Sequence, residues 1–277
     1  MNIRWLNGTA ERSWDKAATE LNAQLDREGV RPGQVVAVYA RPAGHSMGGM
    51  VLTALTSTQL PASSMAPVQL RVSVDDSASL SWAQLFMRAA REVGALAGEG
   101  MGLVGVTASS GADGARAVLV ISAPLVGNAS APRAAPRLVS AGEATAARAA
   151  IALQAQLRAV SVRRGQLLAV HAREGDAARG EPAVMLDALV DTALPDRGPL
   201  VLMAETARAQ LGEDARVEAA TWEELNAKLA RRLARLPLGR LADVVSVSAS
   251  RAGGEGRAML QAWWTGDVQP AAVKGDV

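Results

Sequence analysis

The sequence predicts an α/β protein made of two similar lobes of largely parallel sheet flanked by helices, and three observations carry that expectation. An amphipathic helix, a glycine-containing turn and a short run of β-branched and aliphatic residues recur in that order four times along 277 residues. The strand-like runs are continuously apolar rather than alternating, which is the pattern of strands buried on both faces. Successive runs are separated by enough chain for a helix, the connection that parallel strands need.

In the first unit Ser13-Trp14 opens a helix with apolar residues at Trp14, Ala18, Leu21 and Leu25; Gly29 and Pro32-Gly33 end it before the strand Val35-Val36-Ala37-Val38-Tyr39. A strand is expected over Leu70 to Val74. Ser81-Trp82-Ala83-Gln84 then reads as a capping box, in which hydroxyl and amide satisfy free backbone N–H groups. Its strand is Leu103-Val104-Gly105-Val106. Asn128 to Pro136, rich in Ala, Pro and Ser, is the linker candidate. It divides the chain into a first lobe over residues 1–142 and a second over 143–277.

A further strand is expected at Arg137-Leu138-Val139, before the second lobe. A helix runs from about Thr145 through Ile151 and Leu157, and Gly165 precedes the strand Leu167-Leu168-Ala169-Val170. A further helix is expected over Pro182 to Val190 and a strand over Pro199 to Met203. Thr221-Trp222-Glu223-Glu224 reads as another capping box, followed by the stripe Leu225, Leu229, Leu233 and the strand Val244-Val245-Ser246-Val247. Gln269 to Val277 reads as a frayed tail. Trp14, Trp82 and Trp222 are expected to anchor the core. Trp263 and Trp264, with a helix expected from about Gly253 to Ala262, are the interface candidates. Adjacent indoles cannot share one helical face, so either one of them meets a partner or both are buried across two packed layers.

Composition narrows the function classes. The chain is 49% hydrophobic and 20% charged, and 29 basic against 27 acidic residues leave a formal charge of +2. Arginine is scattered, and Phe86 and Tyr39 are the only residues of their kinds, so neither nucleic acid nor an anionic membrane is expected as a partner. The absence of cysteine rules out disulfides, thiolate zinc sites and a cysteine nucleophile, and His45 and His171 are too few for a multi-histidine metal site. The N-terminus lacks a signal-peptide layout and no apolar run reaches the ~18 residues of a membrane span, so a cytoplasmic location is expected.

The run Ser13-Trp14, Glu20-Leu21 and Gly29-Val30-Arg31-Pro32-Gly33-Gln34-Val35-Val36-Ala37 resembles the opening of adenylate-forming (acyl-CoA synthetase-like) enzymes, T-[WY]-x-E-L followed by G-V-x-P-G-D-x-V-A. In the same order, Ser109-Ser110-Gly111-Ala112-Asp113-Gly114-Ala115-Arg116-Ala117 through Ser122 resembles their phosphate loop. Leu125, Asn128 and Ala129 follow as in the family, and Arg163-Arg164-Gly165-Gln166-Leu167 resembles the next strand. The o-succinylbenzoate–CoA ligase type gives the nearest spacing. The resemblance implies two α/β lobes binding ATP with magnesium and a carboxylate between them, and nucleotide contacts at Ser109, Ser110, Gly111, Gly114 and Arg116.

The sequence departs from that pattern where the chemistry is done. Ala112 and Asp113 replace hydroxyl residues, and Ala117 stands at the lysine position. A carboxylate there repels a triphosphate by roughly 4 kcal/mol for charges ~4 Å apart at an effective dielectric of ~20. His171 does not align with the family histidine, whose place is taken by Arg173 and Glu174, and no lid segment follows Val247. No catalytic residue is assigned, and ATP binding is expected to be weak or absent. The expectation is a non-catalytic or partial homologue acting as a binding or interaction module. The alternative is an ATP-dependent acyl or aryl-acid ligase completed by another chain. Association is expected as a homodimer, or with a related longer chain, through Trp263 or Trp264.

Overall fold

A computed structural model describes residues 3–11, 13–41, 49–77, 79–96, 98–110, 116–125, 136–175, 177–211, 215–252 and 257–266. The chain forms four successive units, each a strand, a helix and a hairpin. The first comprises β1 (Arg4–Glu11), α1 (Trp14–Arg27), β2 (Val35–Arg41) and β3 (Gly49–Thr56). The second is β4 (Arg71–Ser77), α2 (Trp82–Ala95), β5 (Met101–Ser110) and β6 (Arg116–Pro124). The third is β7 (Arg137–Glu143), α3 (Ala146–Ala159), β8 (Leu167–Glu174) and β9 (Val184–Val190). The fourth is β10 (Val201–Gln210), α4 (Ala215–Leu233), α5 (Leu238–Leu241), β11 (Val244–Ala252) and β12 (Arg257–Gly266).

Each unit folds into its own three-stranded sheet, ordered β1-β3-β2, β4-β6-β5, β7-β9-β8 and β10-β12-β11, and every ladder is antiparallel. This corrects the expected parallel sheets. The helical connection does leave its two flanking strands parallel, but the hairpin strand inserts between them and takes both sets of backbone hydrogen bonds. The same register shift recurs in all four sheets, between Val35 and Ala37, Leu103 and Gly105, Leu167 and Ala169, and Val244 and Ser246.

Sheets and helices alternate around a closed ring. One face of the first sheet (Val38, Ala40, Leu52, Ala54) packs on α1, which also packs on Val68, Leu70, Leu119 and Ile121 of the second unit. In the same way α2 lies between its own sheet and Ala169 and Leu189 of the third, and α3 between its own sheet and Leu200 and Trp263 of the fourth. The last helix closes the circle: Trp222, Leu225, Leu229 and Leu233 of α4 pack on Ala258, Leu260 and Ala262 and also on Ala37, Tyr39 and Leu55 of the first sheet. Both faces of every sheet are therefore covered. That is why the central and inner strands are largely apolar despite being antiparallel, while the outer strands β4 and β10 are mostly half-buried.

The ring is also a tandem duplication. Val30-Arg31-Pro32-Gly33-Gln34-Val35-Val36-Ala37-Val38-Tyr39-Ala40-Arg41 aligns with Val162-Arg163-Arg164-Gly165-Gln166-Leu167-Leu168-Ala169-Val170-His171-Ala172-Arg173. The corresponding contacts recur. Asn22 clamps both backbone groups of Leu70 (2.8 and 2.9 Å), while its counterpart Gln154 accepts from Leu202 N (2.6 Å) and donates to Leu200 O (3.0 Å). The edge strand β2 has Ala40 N donating to Thr107 Oγ1 (3.1 Å), and β8 has Ala172 N donating to Ser248 Oγ (3.2 Å). Ser246 Oγ both accepts from Val170 N (2.9 Å) and donates to Val170 O (2.7 Å). Hydroxyls of one unit thus satisfy the sheet edge of another, which would otherwise be buried unpaired. The halves join between β6 and β7, so the expected division at residue 142 falls inside β7.

Local expectations fare unevenly. The caps at Ser13, Ser81 and Thr145 are present, with the full capping box at Ser81 and Gln84. Thr221 does not cap a helix: α4 begins earlier, and the Thr221 hydroxyl donates to Val217 O (2.8 Å) in mid-helix. The helix expected over Pro182 to Val190 is strand β9, and the one from Gly253 to Ala262 is mostly strand β12. The tail from Gln269 and all of the linker candidate except Pro136 lie outside the described residues.

Candidate functional site

Ser109 and Ser110 end β5 and pair with Ala117 and Arg116 at the start of β6, so the segment resembling a phosphate loop spans the tip of an antiparallel hairpin. Gly111 and Gly114, with Ala112 and Asp113, lie outside the described residues. The Arg116 guanidinium donates to Leu80 O (3.1 Å) and lies 5.9 Å from the Trp82 ring centroid, so it is engaged at the start of α2. Of the expected nucleotide contacts, only Ser109, Ser110 and Arg116 fall among the described residues.

Two buried polar clusters occupy corresponding places in the duplication. In the third unit Arg173 Nε donates to Asp187 Oδ2 (2.6 Å), and its terminal nitrogens reach Glu181 at 2.5 and 3.2 Å. Ser140 Oγ donates to Asp187 Oδ1 (2.6 Å), and the guanidinium also packs on Trp82. Burial works against the charge on Arg173, but Glu181 and Asp187 outweigh it and push its pKa up. His171 lies between Phe86 and Trp82, with centroids at 5.8 and 6.3 Å. Its burial, with Arg173 beside it, lowers its pKa to about 3, so the imidazole is neutral and its Nδ1 has no partner. A group held this far from neutrality is a poor proton shuttle at pH 7.

In the first unit Arg41 stands for Arg173, Tyr39 for His171 and Thr53 for Asp187. Glu223 of α4 accepts from Trp5 Nε1 (2.5 Å) and Asn7 Nδ2 (2.8 Å), and Arg41 approaches it at 3.7 Å. The Tyr39 hydroxyl donates to Asn226 Oδ1, and burial raises the Tyr39 pKa. Burial also lowers that of Arg41. Each cluster lies where a helix of one unit meets the sheet of the next, so these side chains join units together. Among the described residues no group of three or more His, Asp or Glu is placed to hold a metal ion.

Trp263 and Trp264 are both buried within their own chain, at 1% and 5% exposure. They sit on the central strand of the fourth sheet and point to opposite faces. Trp263 Nε1 donates to Ser248 Oγ (3.2 Å) at the junction with the third unit. The exposed indole surface on which association was expected is therefore absent at these two residues.

A basic groove opens to solvent at the C-terminal end of α4. Lys228, Arg231 and Arg232 near the C-terminal end of α4, and Arg235 in the turn that follows it, line a groove of about 480 Å³ with Glu205 and Leu236. Arg232 reaches Glu205 at 3.4 Å and Lys228 reaches Glu224 at 2.7 Å. The side chains of Arg231 and Arg235 make no hydrogen bond or salt bridge to described residues. Sequence reading passed over this face because it scored arginine as scattered along the whole chain; the local signal was four cations flanking the stripe Leu225, Leu229, Leu233.

Comparison with protein-family models, with curated proteins and with solved structures finds no match. The fold and its open groove define a closed ring of four strand–helix–hairpin units with one strongly basic helical face. Among the described residues no helix is long and apolar enough to cross a membrane.

Proposed function

We propose that the chain is a binding module that docks an acidic protein segment on the basic face of α4. The observation that carries this reading is the groove itself: four cations line it, and Glu205 is the only acidic side chain among the described residues that line it. The buried arginines, histidine and tyrosine hold units together, whereas the side chains of Arg231 and Arg235 make no hydrogen bond or salt bridge among the described residues, Arg231 acting only through its charge on Glu224, and both are open to a partner. Each cation gains only ~1 kcal/mol from a carboxylate at 4 Å in water, so recognition rests on several acting together. Leu236 adds an apolar contact that suits a peptide better than a phosphate backbone, and no exposed aromatic accompanies the cations to stack on bases.

The test is titration of the intact protein, at low and at moderate salt, with a blocked amphipathic peptide carrying glutamates at three- and four-residue spacing. Binding should weaken with salt and fall about tenfold or more in Arg231→Glu/Arg235→Glu, whose side chains make no hydrogen bond or salt bridge among the described residues. Unchanged affinity in that variant, or tight binding of duplex DNA with none of the peptide, would overturn the reading.

A further inference from the structure

The duplication that relates the first unit to the third also relates the second to the fourth, and it places α2 in register with α4. Trp82 corresponds to Trp222, Leu85 to Leu225, Ala90 to Ala230 and Val93 to Leu233, all on the inward faces. On the outward faces Arg88 corresponds to Lys228 and Arg91 to Arg231. A second groove of about 230 Å³ lies over this part of α2, lined by Leu80, Gln84, Met87, Arg88 and Arg91. Each groove has one acidic side chain nearby on the first strand of its unit: Asp75 on β4 reaches Arg88 at 3.9 Å, as Glu205 on β10 reaches Arg232 at 3.4 Å.

We propose that the α2 groove is a second, weaker copy of the α4 site, so that one chain is bivalent for acidic segments. The inference rests on the reading of α4 as a docking face. The occupant is a partner that presents two acidic amphipathic segments, either as a two-fold dimer or as repeats along one chain. Charge complementarity supports this, because neither groove is lined by more acidic than basic side chains and the α2 lining has no carboxylate. The sites differ in a way that sets their order of affinity. Glu92 stands where α4 has Arg232, leaving α2 two cations instead of four, while Met87, 52% exposed, gives it a larger apolar floor. The α4 site binds more tightly and with steeper salt dependence, and the α2 site depends more on an apolar side chain in the peptide.

Calorimetric titration of the intact protein with the glutamate-rich amphipathic peptide separates the outcomes. Two sites are expected, differing about tenfold or more in affinity. Arg88→Glu/Arg91→Glu should remove only the weaker and Arg231→Glu/Arg235→Glu only the stronger, and a tandem copy of the peptide should bind more tightly than the single one by avidity. A single site abolished by the α4 variant overturns bivalency and leaves the α4 reading standing. A single site abolished only by the α2 variant overturns the α4 reading, and no binding overturns both. Circular dichroism on each variant distinguishes lost docking from lost fold.

Discussion

Replacing Arg173 by methionine removes the cation from a buried pair and leaves its carboxylate in place. The side chains of Arg173 and Asp187 are 5% and 1% exposed, and Asp187 would keep only the hydroxyl of Ser140. Glu181, a quarter exposed, can turn to water. Loss of one partner of a buried pair costs about 3–5 kcal/mol, most of it from the stranded charge. The double variant Arg173→Met/Asp187→Leu strands no fully buried charge, freeing only the part-buried Ser140 hydroxyl and the quarter-exposed Glu181, and should recover most of that loss. Arg41→Met should cost less, because Glu223 is 42% exposed, lies 3.7 Å away and keeps its bonds to Trp5 and Asn7. Urea unfolding at pH 7, followed by tryptophan fluorescence, gives all three free energies. A loss below about 1 kcal/mol for Arg173→Met, or a double variant no more stable than the single, would refute the account of a buried pair.

Three further outcomes follow from the same geometry. The unfolded chain protonates His171 below about pH 6.5, whereas the folded protein holds it neutral down to about 3, so stability is lost as pH falls through that window by up to ~1.4 kcal/mol per unit. Wild-type stability measured relative to His171→Leu should therefore decline from pH 7 to pH 4, and a constant difference would contradict the neutral buried imidazole. Asn22→Ala and Gln154→Ala should each destabilise by about 1–3 kcal/mol in urea unfolding, because each strands backbone groups of the following unit. Gly33→Ala and Gly165→Ala should cost more than Gly29→Ala in thermal melts. All three sit at positive φ, but a Cβ at the first two would lie 2.6 and 2.8 Å from the carbonyl oxygens of Pro61 and Pro195, whereas at Gly29 it meets nothing within 4 Å.

The helices and the strands that follow them were legible because local chemistry marks them: Ser13, Ser81 and Thr145 cap, and Gly33 and Gly165 turn. The central strand of each sheet was not. β9 runs Val184-Met185-Leu186-Asp187-Ala188-Leu189-Val190, apolar at all but one position, and a sheet sandwiched between two helices erases the alternation that separates strand from helix. β12 was misread for the same reason, since Trp263 and Trp264 serve opposite faces of one strand, not a core and an interface. Continuous apolarity correctly announced burial on both sides. It could not announce direction, because that was decided by the hairpin strand that fits between two parallel neighbours. The basic face of α4 was spelled out in sequence, yet only the fold separates cations turned outward from Arg41 and Arg173, which are spent inside.

Because the ring closes where α4 meets the first sheet, its last junction joins residues far apart in the sequence. Tyr39 and Asn226 are 187 positions apart, and Trp5 and Glu223 are 218 apart. At the ~5–20 residues per second of translation, the first sheet waits roughly ten to forty seconds with Ala37, Tyr39 and Leu55 bare before its cover is synthesised. The other three junctions form between neighbouring stretches as each emerges from the ribosome. A nascent chain arrested before Trp222 therefore carries one sticky, unfinished flank at its oldest end, and that flank is where a chaperone would bind and where truncated chains would aggregate.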